Sequence, residues 1–173
     1  MSISELNIFG DKSLFDARFV GMLIGDGSYG FDKTPVFSNC DDELNEYVYS
    51  KYDAVTESSY ITKIGKTYKE TRIKGITRQL REIGIYGQTK TNKRLPVDFL
   101  LLNKEDAANL IGGLFDTDGC VVNDGKRVRA FLTQSSEVML YQVETLLLKF
   151  GVRCNIRKKM PREKLHGIKD VNP

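Results

Sequence analysis

The sequence predicts an α/β chain (α+β in the arrangement of its elements) built as two similar halves. Three observations carry that prediction. Helix-type and strand-type runs follow one another in the same order twice; two nine-residue windows about ninety residues apart share one grammar; and 173 residues, 40% hydrophobic and 28% charged, suit one globular unit, or two small halves sharing a core.

The first half opens on "DKSLFDARFVGMLIGDG". Ser13 or Asp16 caps a helix whose apolar residues, Leu14, Val20, Met22, Leu23 and Ile24, are too dense for a surface helix. Gly27 suits a left-handed position ending it. "SYGF" and "TPVFSNC" read as short strands around a turn, with Pro35 entering the second. "DDELNEYVYSKYDA" is an acid-capped helix. "SSYITKIGKTYKETRIKG" gives two strands around Gly65-Lys66, and "ITRQLREIGIYG" a helix stopping near Gly84 or Gly87. These elements fill residues 1–87. A basic connector over 88–102 carries an X-Pro break at Leu95-Pro96.

The order then restarts in residues 103–173. Asn103 caps "KEDAANLIGGLFDTDG", a buried helix ending at Gly119. "CVV" and "RVRAFLTQ" are strands across the turn "NDGK". "SSEVMLYQVETLLLKFG" is an amphipathic helix capped by Ser135 or Ser136 and stopped by Gly151. "VRCNIRKKM" reads as a strand with Arg153, Asn155, Arg157 and Lys159 outward and Val152, Cys154 and Ile156 inward. Residues 160–173 show no apolar period for the fourth strand and closing helix that the first half has, so the second half is expected to be truncated.

"FVGMLIGDG" (19–27) and "IGGLFDTDG" (111–119) match position by position in their apolar start, third-place glycine, small seventh residue, aspartate and final glycine. Gly21 with Gly25, and Gly113 with Thr117, each lie one helical turn apart on one face. Small residues there let two helices approach backbone to backbone. Helices paired in this way about a pseudo-two-fold axis bring Asp26 and Asp118 out side by side. A carboxylate at a helix C-terminus opposes the macrodipole by about 0.3–1 kcal/mol, and the two also repel each other. Divalent cations relieve both problems, and carboxylates with helix-end carbonyls are the hard oxygen donors that Mg²⁺ takes. Two ions about 3.5–4 Å apart clamp the attacking and leaving oxygens of a phosphodiester displacement. A lone Asp-Gly is a turn or helix stop; two windows with the same grammar, each between a buried helix and a strand, point to function. Calcium loops starting at Asp26 or Asp116 fail, because Phe31 and Val121 stand where glycine is required.

Composition narrows the class further. Cys40, Cys120, Cys154 and the single His166 show no paired spacing, which argues against a zinc cluster or disulfide framework. No apolar run is long enough to span a bilayer and "MSISELNIFG" lacks a signal pattern, so a cytoplasmic location is expected. The net charge of +3 divides into −7 over residues 1–60 and +10 over 61–173. A basic portion of that size points to a polyanionic partner or to solvated faces, and charge alone does not separate the two.

On the paired windows, on "KRLP" before the second and on "LLLKFGV" after the later helix, the sequence resembles the LAGLIDADG homing endonucleases, in the two-motif single-chain form found within inteins and in introns. The first window is degenerate, with Ile24 where the name motif has its first aspartate. The resemblance implies two αββαββα-type halves joined through the motif helices, their antiparallel sheets forming a saddle over DNA. It implies cutting of both strands of a long site across the minor groove, using Mg²⁺ with Mn²⁺ able to substitute. Asp26 and Asp118 look like the catalytic metal ligands, with the carbonyls of Gly25 and Thr117 as further ligands. Lys63, Lys66, Lys69, Arg72 and Lys74 on first-half strands, and Arg127, Arg129, Arg153, Arg157 and Lys159 on second-half strands, are then candidate DNA contacts. Family members often place a lysine near a glutamine at the end of a half's second strand. Here Asn39 and Gln134 stand there, beside Cys40 and Ser135. Each either orients water or serves as a strand-end hydrogen-bonder or helix cap.

A monomer acting on double-stranded DNA is therefore expected, as a mobile element's nuclease, with a host intein splicing domain or a missing C-terminal piece as possible company. Met1 in place of a nucleophilic Cys or Ser, and "DVNP" in place of His-Asn, mean that self-splicing is not expected. The alternative class is a non-cleaving nucleic-acid-binding module on the same scaffold, an RNA-splicing maturase or a transcription factor.

Overall fold

A computed structural model describes residues 8–158. Helix α1 (Ala17–Asp26) leads into β1 (Gly27–Ser28), β2 (Val36–Asn39), α2 (Asp42–Lys51), β3 (Ala54–Ile61), β4 (Thr67–Ile73) and α3 (Thr77–Glu82). After a 3₁₀ turn at Phe99–Leu101 come α4 (Lys104–Asp118), β5 (Gly119–Asn123), β6 (Val128–Leu132) and α5 (Glu137–Lys149). The first-half sheet is antiparallel in the order β1-β2-β4-β3, and the second half contributes the hairpin β5-β6. The halves repeat in register: Gly27 pairs with Phe37, and Gly119 with Leu132. The chain has the mixed α/β, antiparallel-sheet architecture read from its sequence.

Local chemistry sets the helix starts. Asp16, not Ser13, caps α1, accepting from the Phe19 N–H at 3.0 Å. Asp41 caps α2, Asn103 caps α4 and Ser136 caps α5. Gly84, Gly125 and Gly151 adopt positive φ at the turns foreseen for them. Gly27 and Gly119 do not, which corrects the left-handed ending expected for α1. Their φ values are −97° and −86°, with extended ψ, because the chain passes straight from helix into strand. Glycine is needed there for space: a Cβ would sit 2.2 Å from the Leu23 carbonyl oxygen at Gly27 and 2.3 Å from that of Phe115 at Gly119.

α1 is the centre of the core. Ala17 and all residues from Phe19 to Ile24 are buried, Phe19 stacking on Tyr52 with ring centroids 4.1 Å apart. Its longest contact is with α4, along the small-residue faces. A Cβ on Gly21 would lie 2.2 Å from the Leu110 carbonyl oxygen, and one on Gly113 1.9 Å from that of Arg18. Nothing larger than hydrogen fits. At the next turn Gly25 faces Thr117, whose hydroxyl folds back onto the Gly113 and Leu114 carbonyls. Arg18 ties the helices at the margin, giving two hydrogen bonds to Asp116 at 2.8 and 3.0 Å.

Two expectations change. The segment after Gly151 forms no strand over residues 152–158. Of these only Ile156 is partly covered, so the alternation of Val152, Cys154 and Ile156 inward is not realised. A strand requires a paired edge, and the segment makes no ladder with β6. The expected fourth strand and last helix lie outside the described residues. The connector 88–102 is also more than a link: Lys93, Leu95 and Leu102 are buried, and Lys12 bridges to Leu102.

The helix seam yields a paired prediction. Gly113→Ala drives a methyl into the Arg18 carbonyl and should destabilise the fold by about 2–4 kcal/mol. Gly112→Ala, with nothing within 4 Å, should stabilise it by about 0.5–1 kcal/mol. Urea unfolding of both variants measures the contrast.

Candidate active site

Because the seam runs to the ends of both helices, Asp26 and Asp118 finish α1 and α4 next to one another. A Cβ on Gly25 would lie 3.0 Å from the Asp118 Oδ2. Each carboxylate is half-buried and each accepts from the amide that follows its own hairpin. Asn39 Nδ2, at the end of β2, donates to Asp26 Oδ2 at 2.7 Å. Gln134 Nε2, two residues beyond β6, donates to Asp118 Oδ2. Asn39 cannot turn over, since its Oδ1 accepts from the Asp41 N–H at 2.7 Å. The amides thus act on the carboxylates, and Ser136 and Asp41 do the capping.

A third charge meets the pair, and sequence reasoning missed it. Lys93, 8% exposed, brings its ammonium from the connector to the end of α1. It donates to the carbonyls of Ile24, Gly25 and Gly27 at 2.5, 2.8 and 3.0 Å. The macrodipole leaves that end partly negative, and a cation is what it attracts. The Gly25 carbonyl, expected as a metal ligand, is therefore already engaged by an ammonium; no described side chain donates to the Thr117 carbonyl. One sequence signal was available. Lys93 opens the "KRLP" stretch that carries part of the family resemblance.

The electrostatics follow from burial and proximity. Burial, then the charge of Asp118, pushes the Asp26 carboxyl up to about 6, against the Asn39 hydrogen bond and Lys93. Burial also raises Asp118, opposed by Lys93, Gln134 and Lys90. Burial lowers Lys93, and the two aspartates resist that shift. Both acids are thus strained as free anions and would gain from a further cation. Among the described residues no cluster of three or more His, Cys, Asp or Glu could hold a metal by itself. The donor set nonetheless fits Mg²⁺, which keeps waters and takes one or two carboxylates beside substrate phosphates. An open cleft of about 580 Å³ lies over the pair, walled by Gln88, Lys90, Lys93 and Gln134 among others.

The candidate DNA contacts scatter more than expected. Lys63 and Lys66 lie in the β3-β4 turn, not on strands. Lys69 and Arg72 fall on opposite faces of β4, being three residues apart in a two-residue period. Both are matched by acids, Lys69 with Asp42 at 3.3 Å and Arg72 with Glu57 at 2.5 Å. Lys74 follows β4. Arg127 precedes β6 in the turn, and Arg129 on β6 pairs with Asp124 at 2.5 Å. Arg129, Arg153 and Arg157 share a second, larger groove of about 1050 Å³ against α5, reached without the predicted last strand. Lys159 lies outside the described residues.

Comparison with known proteins gives this geometry a family context. Residues 105–171 match the LAGLIDADG-like domain. RecA of Mycobacterium tuberculosis is 30% identical over 92% of the chain, which spans 22% of that protein. The ATP-dependent DNA helicase Hel308 of Methanocaldococcus jannaschii is 33% identical over 86% of the chain and 12% of its own length. The replicative DNA helicase DnaB of Synechocystis is 28% identical over 90% of the chain and 19% of its length. The chain thus spans about a fifth or less of these relatives.

The charge arrangement makes a pH-dependent prediction. With its native pKa near 6 against an ordinary 3.8, Asp26 ionises in the unfolded chain first, so its cost to stability grows from pH 4 to 6 and is full above. In EDTA, Asp26→Asn should raise the Tm at pH 7. The gain should shrink as pH falls and vanish below about pH 4. Thermal melts across that range measure it.

Proposed function

We propose, from the match of residues 105–171 to the LAGLIDADG-like domain, that the protein is a site-specific double-strand DNA endonuclease dependent on divalent metal ions and cutting across the minor groove. The observation that carries the reading is the pairing of Asp26 and Asp118 at adjoining helix ends, above which a cleft opens with lysines in its wall. A protein that only gripped DNA would gain nothing from two half-buried carboxylates facing phosphates.

In this reading Asp26 and Asp118 would hold the ions, with the Thr117 carbonyl as a further donor, and bound Mg²⁺ or Mn²⁺ would supply polarisation of the phosphodiester and acidification of the attacking water. Asn39 and Gln134 each hold one oxygen of a carboxylate that lines the cleft. Lys93, its ammonium held at the end of α1, opposes the rise that burial imposes on both carboxyls. Arg127, Arg129, Arg153 and Arg157, with Lys63, Lys66 and Lys74, contact the duplex, and Arg among them can read guanine edges. One chain supplies both aspartates, which supports action as a monomer.

The family likeness to stretches of RecA, Hel308 and DnaB, each a small share of a differently named protein, supports a transferable module of intein or intron type. The second reading is a non-cleaving nucleic-acid-binding module. Cys40 and Ser135, standing where the family often has lysine, favour it.

A cleavage screen distinguishes the two. Purified protein, Mg²⁺ or Mn²⁺ and a plasmid library of randomised and candidate host sites should give double-strand breaks with short 3′ overhangs that disappear in EDTA. Asp118→Asn should lower cutting at least about a thousandfold while binding the same duplex in EDTA as well as the wild type does. Selective retention of DNA or RNA without cuts would establish the binding module instead.

A further inference from the structure

Helices α2 and α5 hold the same place in their two halves. Each follows its hairpin and starts from a cap just beyond the amide that meets an aspartate, Asp41 after Asn39 and Ser136 after Gln134. They present opposite chemistry to solvent. Counted from the caps, Glu43, Glu46 and Ser50 of α2 stand where α5 has Val138, Tyr141 and Thr145. The α2 residues are polar and exposed, as a solvent face requires. On α5 the same face is largely apolar and still exposed: Val138 is 46%, Tyr141 51% and Leu148 51% accessible. With Thr145 they recur at the alternating three- and four-residue spacing that lines up one stripe along a helix. Thr145 brings no unmet polar group to that stripe, its hydroxyl donating to the Tyr141 carbonyl at 2.8 Å.

The stripe is not the face that further strands of the second half would cover. In the first half, Asp42 of α2 accepts from Lys69 of β4 at 3.3 Å, and the Tyr49 hydroxyl bonds to Thr71 of β4 at 3.1 Å. Their counterparts on α5 are Glu137 and Glu144, which flank the stripe on one side. The groove along β6 is lined by Glu137, Leu140 and Tyr141, and does not extend to Val138, Thr145 or Leu148.

A second copy of the chain fits this face. Laid antiparallel on itself, α5 sets Val138 against Leu148 of the second copy and Tyr141 against Thr145, a large residue on a smaller one each time. A parallel pair would set Tyr141 on Tyr141. The flanks are complementary, with Glu137 and Glu144 along one side and Gln142 and Lys149 along the other. Antiparallel pairing puts Glu137 across from Lys149 of the second copy, and the partly positive start of each helix beside the partly negative end of the other. Lys149 gives one of its three N–H donors to the Leu100 carbonyl at 2.6 Å, which leaves it donors for that contact.

We propose that α5 pairs antiparallel with α5 of a second copy, forming a two-fold dimer through Val138, Tyr141, Thr145 and Leu148. Each copy keeps both aspartates, so the dimer carries two complete sites, and the pairing does not rest on the nuclease reading. A seam this short belongs with small, reversible interfaces, with a dissociation constant on the order of 10 μM.

Sedimentation equilibrium of the full chain in EDTA, from about 1 to about 300 μM, tests it. The wild type should pass from monomer to dimer over that range. Tyr141→Glu and Leu148→Glu each bring an unmatched carboxylate into the seam, and each should weaken association at least about thirtyfold with the Tm unchanged. Direction is tested by Val138→Cys combined with Leu148→Cys, with Cys40, Cys120 and Cys154 each changed to serine. The two new thiols lie about 15 Å apart along one helix and cannot bridge within a chain, whereas antiparallel pairing brings each to the other across the axis. Mild oxidation should give a covalent dimer from the double variant and none from Val138→Cys alone. A wild type that stays monomeric throughout overturns the proposal. A dimer that both glutamate variants leave intact, or a covalent dimer from Val138→Cys alone, overturns it as well. A monomer whose Tm falls in Tyr141→Glu does the same, and shows that the stripe is covered from within its own chain.

Discussion

The close approach of α1 and α4 is the constraint on which everything else rests. Two helix backbones meet where Gly21 and Gly113 leave no room even for a methyl group. That contact carries no polar chemistry of its own, yet it fixes the axis between the halves and buries α1. It also fixes where the helices stop. Both end at the same level, and each is followed by a glycine whose missing Cβ lets the chain turn into a strand without striking the carbonyl four residues back.

A seam of this kind creates an electrostatic problem at its end. Two negative helix termini and two carboxylates converge in a partly desolvated place, where like charges interact strongly. The fold answers with neutral donors and one cation. Asn39 and Gln134 each bind one aspartate, and Lys93 is threaded in from the connector to satisfy three carbonyls. The compensation is incomplete, since Asp26 remains well above the ordinary carboxylate range. Residual strain of this sort is expected at a site meant to receive further positive charge.

Much of this was legible in the sequence, and the failures share one cause. The paired windows gave the seam, the aspartates and the repeated element order, because small residues one turn apart and Asp-Gly helix ends are local patterns. The caps at Asn103 and the turns at Gly125 and Gly151 were local as well. Lys93 was not, since "KRLP" marks a likeness without showing which of its two basic residues turns inward to the end of α1. The ion pairs that occupy Lys69 and Arg72 come from α2 and β3, so their charges looked free in a linear reading. Residues 152–158 have strand-like alternation, but no neighbouring edge pairs with them, and alternation alone does not make a strand.

The unequal charging of the chain has a kinetic consequence. The first 60 residues carry −7 and the remainder +10, and the lysine and arginine of β4 are already matched by acids. Counted by halves the contrast is mild, −2 over residues 1–87, +2 over the connector 88–102 and +3 over 103–173, so the acid is concentrated at the opening of the first half and not in one half against the other. A polyanion drawn to this chain therefore meets cations contributed by both halves, and ionic strength sets how far out that attraction reaches.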